Sequence, residues 1–232
     1  MVAGICMVAS VSGSHAEPAP PRPSATVGMP ATPVPPAADP APAPPTGSVA
    51  AAIKPFVPMA PEVAVAKANA YLSSITTMIG DFVQIGADGR RAEGRLFVQK
   101  PGRLRFEYAD PATLEIVADG TSVAVRDRKL LTQDMYFIKQ TPLKFLLSDK
   151  VDLNRDTKIL DVESDPTAVS ILIEDGSTLG GTSRIKLVFD PAKFTLKQWQ
   201  VTDPQGYETL VSLFNIDTSK KPDPNLFRIN NF

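Results

Sequence analysis

The fifteen residues from Leu96 to Asp110, LFVQKPGRLRFEYAD, constrain the fold of this chain more than any other stretch. Two strand-like runs flank Lys100-Pro101-Gly102, and in the second Leu104, Phe106 and Tyr108 alternate with Arg103, Arg105 and Glu107. Alternation with period two gives one apolar and one solvated face, the mark of a half-buried strand. Neighbouring runs repeat the design, so the chain reads as a large antiparallel sheet with one apolar face, concave or packed on a core.

Strands are expected over Asp81–Ile85, Arg91–Gln99, Arg103–Tyr108, Thr113–Ala118, Ser122–Arg126 and Leu130–Ile138. They resume at Thr157–Val162, Ala168–Glu174, Ser183–Phe189, Thr195–Thr202 and Tyr207–Asp217, with a last short run at Leu226–Ile229. Turn residues separate them, including Asp88-Gly89, Asp110-Pro111, Asp119-Gly120, Asp175-Gly176 and Asp203-Pro204-Gln205-Gly206. Two helices interrupt the pattern. Glu62–Met78 lacks Pro and Gly, follows Pro61, and carries Val63, Ala66, Ala70 and Ile75 near helical spacing. Thr141 as N-cap and Pro142 in the first turn introduce a short helix crowded with Leu143, Phe145, Leu146 and Leu147. The fold class is therefore mainly β with α. About eleven antiparallel strands form an unclosed β-barrel, covered by an N-terminal helix and a short lid helix.

The N-terminus indicates the compartment. Val2–Val11 is apolar but too short to span a bilayer, and Ser14-His15-Ala16 presents small residues where a signal peptidase cuts. Residues 1–16 read as a secretory signal peptide, and Ile5 before Cys6 does not suit lipid attachment. Residues 17–61 read as a Pro/Ala-rich disordered linker, since 15 of the 23 prolines precede Glu62 and such a tract cannot build a core. Residues 62–232 remain as one domain large enough for a full hydrophobic core.

That domain holds 22 basic and 23 acidic residues with no basic block, which argues against nucleic acid as a partner. The only histidine, His15, and the only cysteine, Cys6, lie in the signal. Their loss removes Ser-His-Asp and Cys-His catalysis, the usual zinc ligands, haem and iron–sulfur ligation and disulfides, so no cofactor or metal is expected. The leftovers carry weak signals. Asp152-x-Asn154-x-Asp156 with Glu163 loosely matches a calcium loop, but Thr157 stands where the sharp turn requires Gly, and a capped connector fits better. Glu107 and Glu115 would suit a carboxylate-dependent enzyme, yet alternation sends both to the solvated face.

Gly94-Arg95-Leu96-Phe97-Val98-Gln99-Lys100-Pro101-Gly102-Arg103-Leu104-Arg105-Phe106, the Asp119-Gly120 hairpin, Thr141-Pro142-Leu143-Lys144-Phe145-Leu146-Leu147 and Trp199-Gln200-Val201-Thr202-Asp203-Pro204-Gln205-Gly206 occur in order behind the secretion signal. Together they resemble the periplasmic outer-membrane lipoprotein carriers of the LolA type, from Tyr71-Leu72-Ser73-Ser74-Ile75 to Leu226-Phe227-Arg228. The resemblance implies an unclosed barrel under helices and a non-enzymatic, monomeric carrier in the periplasm of a Gram-negative bacterium. It implies cargo of triacylated lipoproteins, taken from an inner-membrane ABC-type release complex and passed to an outer-membrane lipoprotein receptor. A lipid-sensing envelope-stress regulator of the same fold is the alternative.

The apolar faces nominate Phe82, Leu96, Val98, Leu104, Phe106, Tyr108, Leu114 and Ile116 for a lipid-binding cavity, with Leu143, Phe145 and Leu146 from the lid. Leu104 is placed near the rim, where it would also meet the inner-membrane partner, and Trp199 and Tyr207 are expected to anchor the sheet. In the family an arginine latches the lid from the position held here by Lys100, which is expected to contact carbonyls of Thr141–Leu147.

Overall fold

The computed structural model describes residues 56–230. The signal peptide, its cleavage site and residues 17–55 of the linker lie outside the described residues.

One helix, α1 (Pro61–Ser74), precedes six strands: β1 (Thr77–Ile85), β2 (Arg91–Gln99), β3 (Arg103–Tyr108), β4 (Leu114–Asp119), β5 (Ser122–Asp127) and β6 (Thr132–Phe137). A 3-10 turn at Ile138–Gln140 and the short helices α2 (Lys144–Leu147) and α3 (Leu153–Asp156) follow. Five strands complete the sheet: β7 (Lys158–Ser164), β8 (Val169–Asp175), β9 (Ser183–Phe189), β10 (Leu196–Thr202) and β11 (Glu208–Asp217). The strand order is β6-β5-β4-β3-β2-β1-β11-β10-β9-β8-β7, with every neighbour antiparallel. Two consecutive meanders are thus stitched together by β1 against β11. Among the described residues the outer edges, β6 and β7, pair with no further strand, and the chain between Phe137 and Lys158 runs from one to the other. That link supplies the cover that an unclosed sheet needs.

The period-two pattern sets the faces. In β3 Leu104, Phe106 and Tyr108 are buried, while Arg103, Arg105 and Glu107 point the other way. One apolar cluster joins this face to Ile171 and Ile173 of β8, Ile185, Leu187 and Phe189 of β9, Trp199 of β10, α1 and the lid. The opposite, convex face carries a smaller apolar set of its own. Register places Phe97, Arg105, Val117 and Ala124 in one cross-strand row, and Phe97, Val117 and Ala124 are buried, as is Phe227 of the C-terminal segment.

Several expectations are corrected. Helix α1 ends at Ser74 rather than Met78, because the β-branched run Ile75-Thr76-Thr77 favours extended backbone and leads straight into β1. Strand β1 accordingly begins before Asp81. The buried face of α1 is Ala64, Val65, Ala68 and Leu72, not Val63, Ala66 and Ala70. An alanine-rich helix offers several stripes, and here the bulky Leu72 decides which one faces the sheet. Leu226–Ile229 is not a strand. The Asp223 carboxylate accepts the Asn225 N–H and Pro224 sets the first turn, giving a 3-10 turn over Pro224–Phe227. Strand β6 starts at Thr132, since Leu131 turns with φ of 54°.

Candidate functional site

The interior under the lid is where the nominated residues meet. Phe82, Leu96, Val98, Leu104, Phe106, Tyr108, Ile116, Leu143, Phe145 and Leu146 all belong to the single buried cluster, and Leu114 packs at its margin. Leu104 is fully enclosed between Val98 and Ala118, so it is not a rim residue and offers nothing to a partner in this closed form.

Aromatic rings run across the interior. Phe82 meets Phe106 and Tyr108 edge-on, each at 5.0 Å between centroids. Phe106 reaches Trp199 at 6.4 Å, and Trp199 receives Phe145 of the lid at 5.9 Å and 72°. Phe145 is therefore the plug that joins the lid to Trp199 of the second meander and, through Trp199, to Phe106 of the first. Trp199, buried in β10, is the ring at the centre of this contact and so faces the interior as well as holding the sheet, whereas Tyr207, 61% exposed, does not anchor it. None of the residues nominated for the lining comes from the second meander, although Ile171/Ile173, Ile185/Leu187 and Trp199/Val201 alternate as plainly as the residues of β3.

Two helices roof the interior by different means. Helix α1 rests on β9 through Tyr71 edge-on to Phe189 at 6.1 Å, and Lys67 Nζ lies 5.5 Å from the Phe194 ring. Its C-terminal half is bonded to the link: Ser73 Oγ accepts the Val151 N–H at 3.0 Å, and Asn69 Oδ1 accepts the Leu153 N–H at 2.9 Å. The lid proper, Ile138–Leu147, is not started by a Thr141 cap. The Thr141 hydroxyl instead turns back and donates to Ile138 O at 2.8 Å, because it closes the preceding 3-10 turn.

The Lys100-Pro101-Gly102 turn touches both helices. Gly102 sits at φ of +73°, open to glycine, and its N–H donates to Leu147 O at 3.0 Å. A Cβ there would stand 2.7 Å from Gly120 Cα, so glycine is also required by the neighbouring turn. Lys100 does not reach the carbonyls of Thr141–Leu147. Its Nζ donates to Leu72 O near the C-terminus of α1, at 2.5 Å, and its N–H donates to Thr76 O at 2.8 Å. The orphan carbonyls and negative dipole end of α1 outcompete the lid for this ammonium. Burial of Lys100 lowers its pKa to about 8, against a partial opposing pull from Asp149.

The remaining polar candidates are structural. Asp152 caps α3 by accepting the Arg155 N–H at 3.3 Å, and Asp156 pairs with Arg155 at 2.8 Å. Glu107 and Glu115 are cross-strand partners on the convex face, with Arg105 bridging them at 3.4 and 2.7 Å. A carboxylate pair neutralised in this way is a surface network rather than an acid/base site. Among the described residues no group of three or more His, Cys, Asp or Glu stands ready for a metal, and no helix is long and apolar enough to cross a membrane.

Comparison with known proteins adds the following. The sequence model of the outer membrane lipoprotein carrier protein LolA matches residues 73–230. An outer-membrane lipoprotein carrier protein of Legionella pneumophila (strain Lens) is 29% identical over 167 residues, covering 68% of this chain and 81% of its own. One from Methylococcus capsulatus is 27% identical over 169 residues, covering 69% and 80%. The crystal structure of a LolA superfamily protein from Nitrosomonas europaea overlays 72% of this chain and 97% of its own, with a TM-score of 0.41 and 10% identity.

Proposed function

The chain belongs to the LolA family of outer membrane lipoprotein carrier proteins, and we propose that it shields the acyl chains of lipoproteins inside its half-barrel while they cross the periplasm. Cargo of this kind needs shelter, because each CH₂ left in water costs about 0.8 kcal/mol. The observation that carries the reading is the cover itself. A very large apolar face is closed by a link between the two edge strands, and that link inserts one aromatic plug, Phe145, against Trp199. Acyl chains would displace Phe145, Leu143 and Leu146 and lie against Phe82, Phe106 and Trp199 with no bond made or broken in the protein. Triacylated lipoproteins are the proposed cargo, an inner-membrane ABC-type release complex the donor and an outer-membrane receptor the acceptor, in the periplasm of a Gram-negative bacterium.

A hydrophobic fluorescent probe bound to the full chain tests the reading. Displacement by a triacylated lipopeptide and not by its deacylated form supports it. No probe uptake, or equal effects of the two peptides, returns the interior to a sealed core.

A further inference from the structure

Resting on the carrier reading, we infer that cargo enters between the lid and the β8–β9 loop, Gly176–Thr182, and that the Lys144–Asp175 pair is the latch on this portal. Asp175 ends the apolar column of β8, on the same face as Ile171 and Ile173, and is only 2% exposed. Lys144 projects from the lid helix and places Nζ 2.7 Å from Asp175 Oδ1 and 2.7 Å from Ser177 Oγ. Ser177 strengthens the same oxygen with its N–H at 2.9 Å and its hydroxyl at 2.7 Å. Beside them the Leu179 N–H donates to Gln140 O at 2.8 Å, across the same seam.

The carboxylate is unevenly served. Oδ1 takes the Lys144 ammonium and both Ser177 donors, whereas Oδ2 is buried with no protein hydrogen-bond partner among the described residues. A buried charge left half satisfied holds less firmly than one fully bonded, which suits a contact that must part. The other seams are held without an ion pair among the described residues. Toward the β2–β3 turn the Gly102 N–H donates to Leu147 O, as Leu179 does to Gln140 at the portal, but no charged pair stands beside it, and beyond it the link is pinned to α1 through Ser73 and Asn69. The loop itself is braced from behind, since Gly181 lies so near the β10–β11 turn that a Cβ would meet Pro204 at 3.2 Å. The lid is therefore the part that moves, away from a fixed loop, and Lys144–Asp175 is a positioning pair that sets how often it does.

Amide hydrogen exchange on the ligand-free full chain reads the seam directly. In Lys144→Met and in Asp175→Asn the Leu179 amide exchanges roughly ten- to a hundred-fold faster, the size of one lost charge-assisted hydrogen bond, while the Gly102 amide keeps its protection. The double variant, which leaves no unpaired charge, shows no further acceleration, and all three take up an acyl-chain probe faster than the wild type. Unchanged Leu179 exchange in both single variants overturns the latch. Equal acceleration at Gly102 and Leu179 overturns the one-sided portal, as does faster Leu179 exchange with unchanged uptake. Absence of probe binding to the wild type would refute the carrier reading instead, and is distinguished by that control.

Discussion

Truncating the plug, Phe145→Ala, separates a lid from a core. Phe145 is buried, and removing its ring forfeits about 1.5–3 kcal/mol of apolar burial. The edge-on contact with Trp199 adds about 0.5–1.5 kcal/mol. Alanine favours helix, so α2 suffers no local penalty. Closure should weaken by about 2–4.5 kcal/mol, shifting the closed-to-open ratio roughly 30-fold to more than 1,000-fold. The chain has a single tryptophan, Trp199, which makes the assay direct. Its emission should move to longer wavelength and become open to acrylamide, while urea unfolding of the sheet keeps most of its free energy. The lid role of Phe145 fails if Trp199 stays as shielded as in the wild type and the whole loss appears in global unfolding with an unchanged m value. Phe145 would then be ordinary core.

Three further outcomes follow from named contacts. Lys100 sheds its proton at about 8 when folded and at 10.5 when unfolded, so between these values the unfolded chain holds more protons and this group's contribution to stability rises with pH. Below that window the cost of the buried charge is carried in full, and Lys100→Met should flatten the slope of unfolding free energy between pH 8 and 10 by at most about 1.4 kcal/mol per pH unit, measured by urea titration. Phe227→Ala should cost about 3 kcal/mol of global stability yet leave probe affinity unchanged, because Phe227 belongs to the convex set. Gly94→Ala should disrupt the β2–β3 pair and cost more than about 3 kcal/mol, since its Cβ would fall 2.0 Å from Glu107 O; thermal unfolding checks it.

The sheet is legible in the sequence because its strands combine alternation with explicit turns: β2, β3 and β9 begin and end where the pattern says. Boundaries fail where no breaker marks them, as at Ile75-Thr76-Thr77, and where a cap overrides an apolar run, as at Asp223-Pro224. Contacts that depend on topology cannot be read from the chain. Lys144 and Asp175 lie 31 residues apart, and only the crossing from β6 to β7 brings them together. The turn that carries Lys100 does meet the lid, through Gly102, but the carbonyl that takes the ammonium belongs to α1. The convex set is hidden for a related reason. Phe97 and Val117 sit on the face that alternation assigns to solvent, and a C-terminal segment more than a hundred residues from each of them covers that face.

In the proposed carrier, acyl chains replace the lid residues against Trp199. Titration with a triacylated lipopeptide whose chains carry bromine, which quenches tryptophan only on contact, tests it most directly. Acyl chains seated against Trp199 give saturable quenching by the brominated peptide, and none by the same peptide without bromine or without its chains. Binding of the brominated peptide with Trp199 emission unquenched would contradict it.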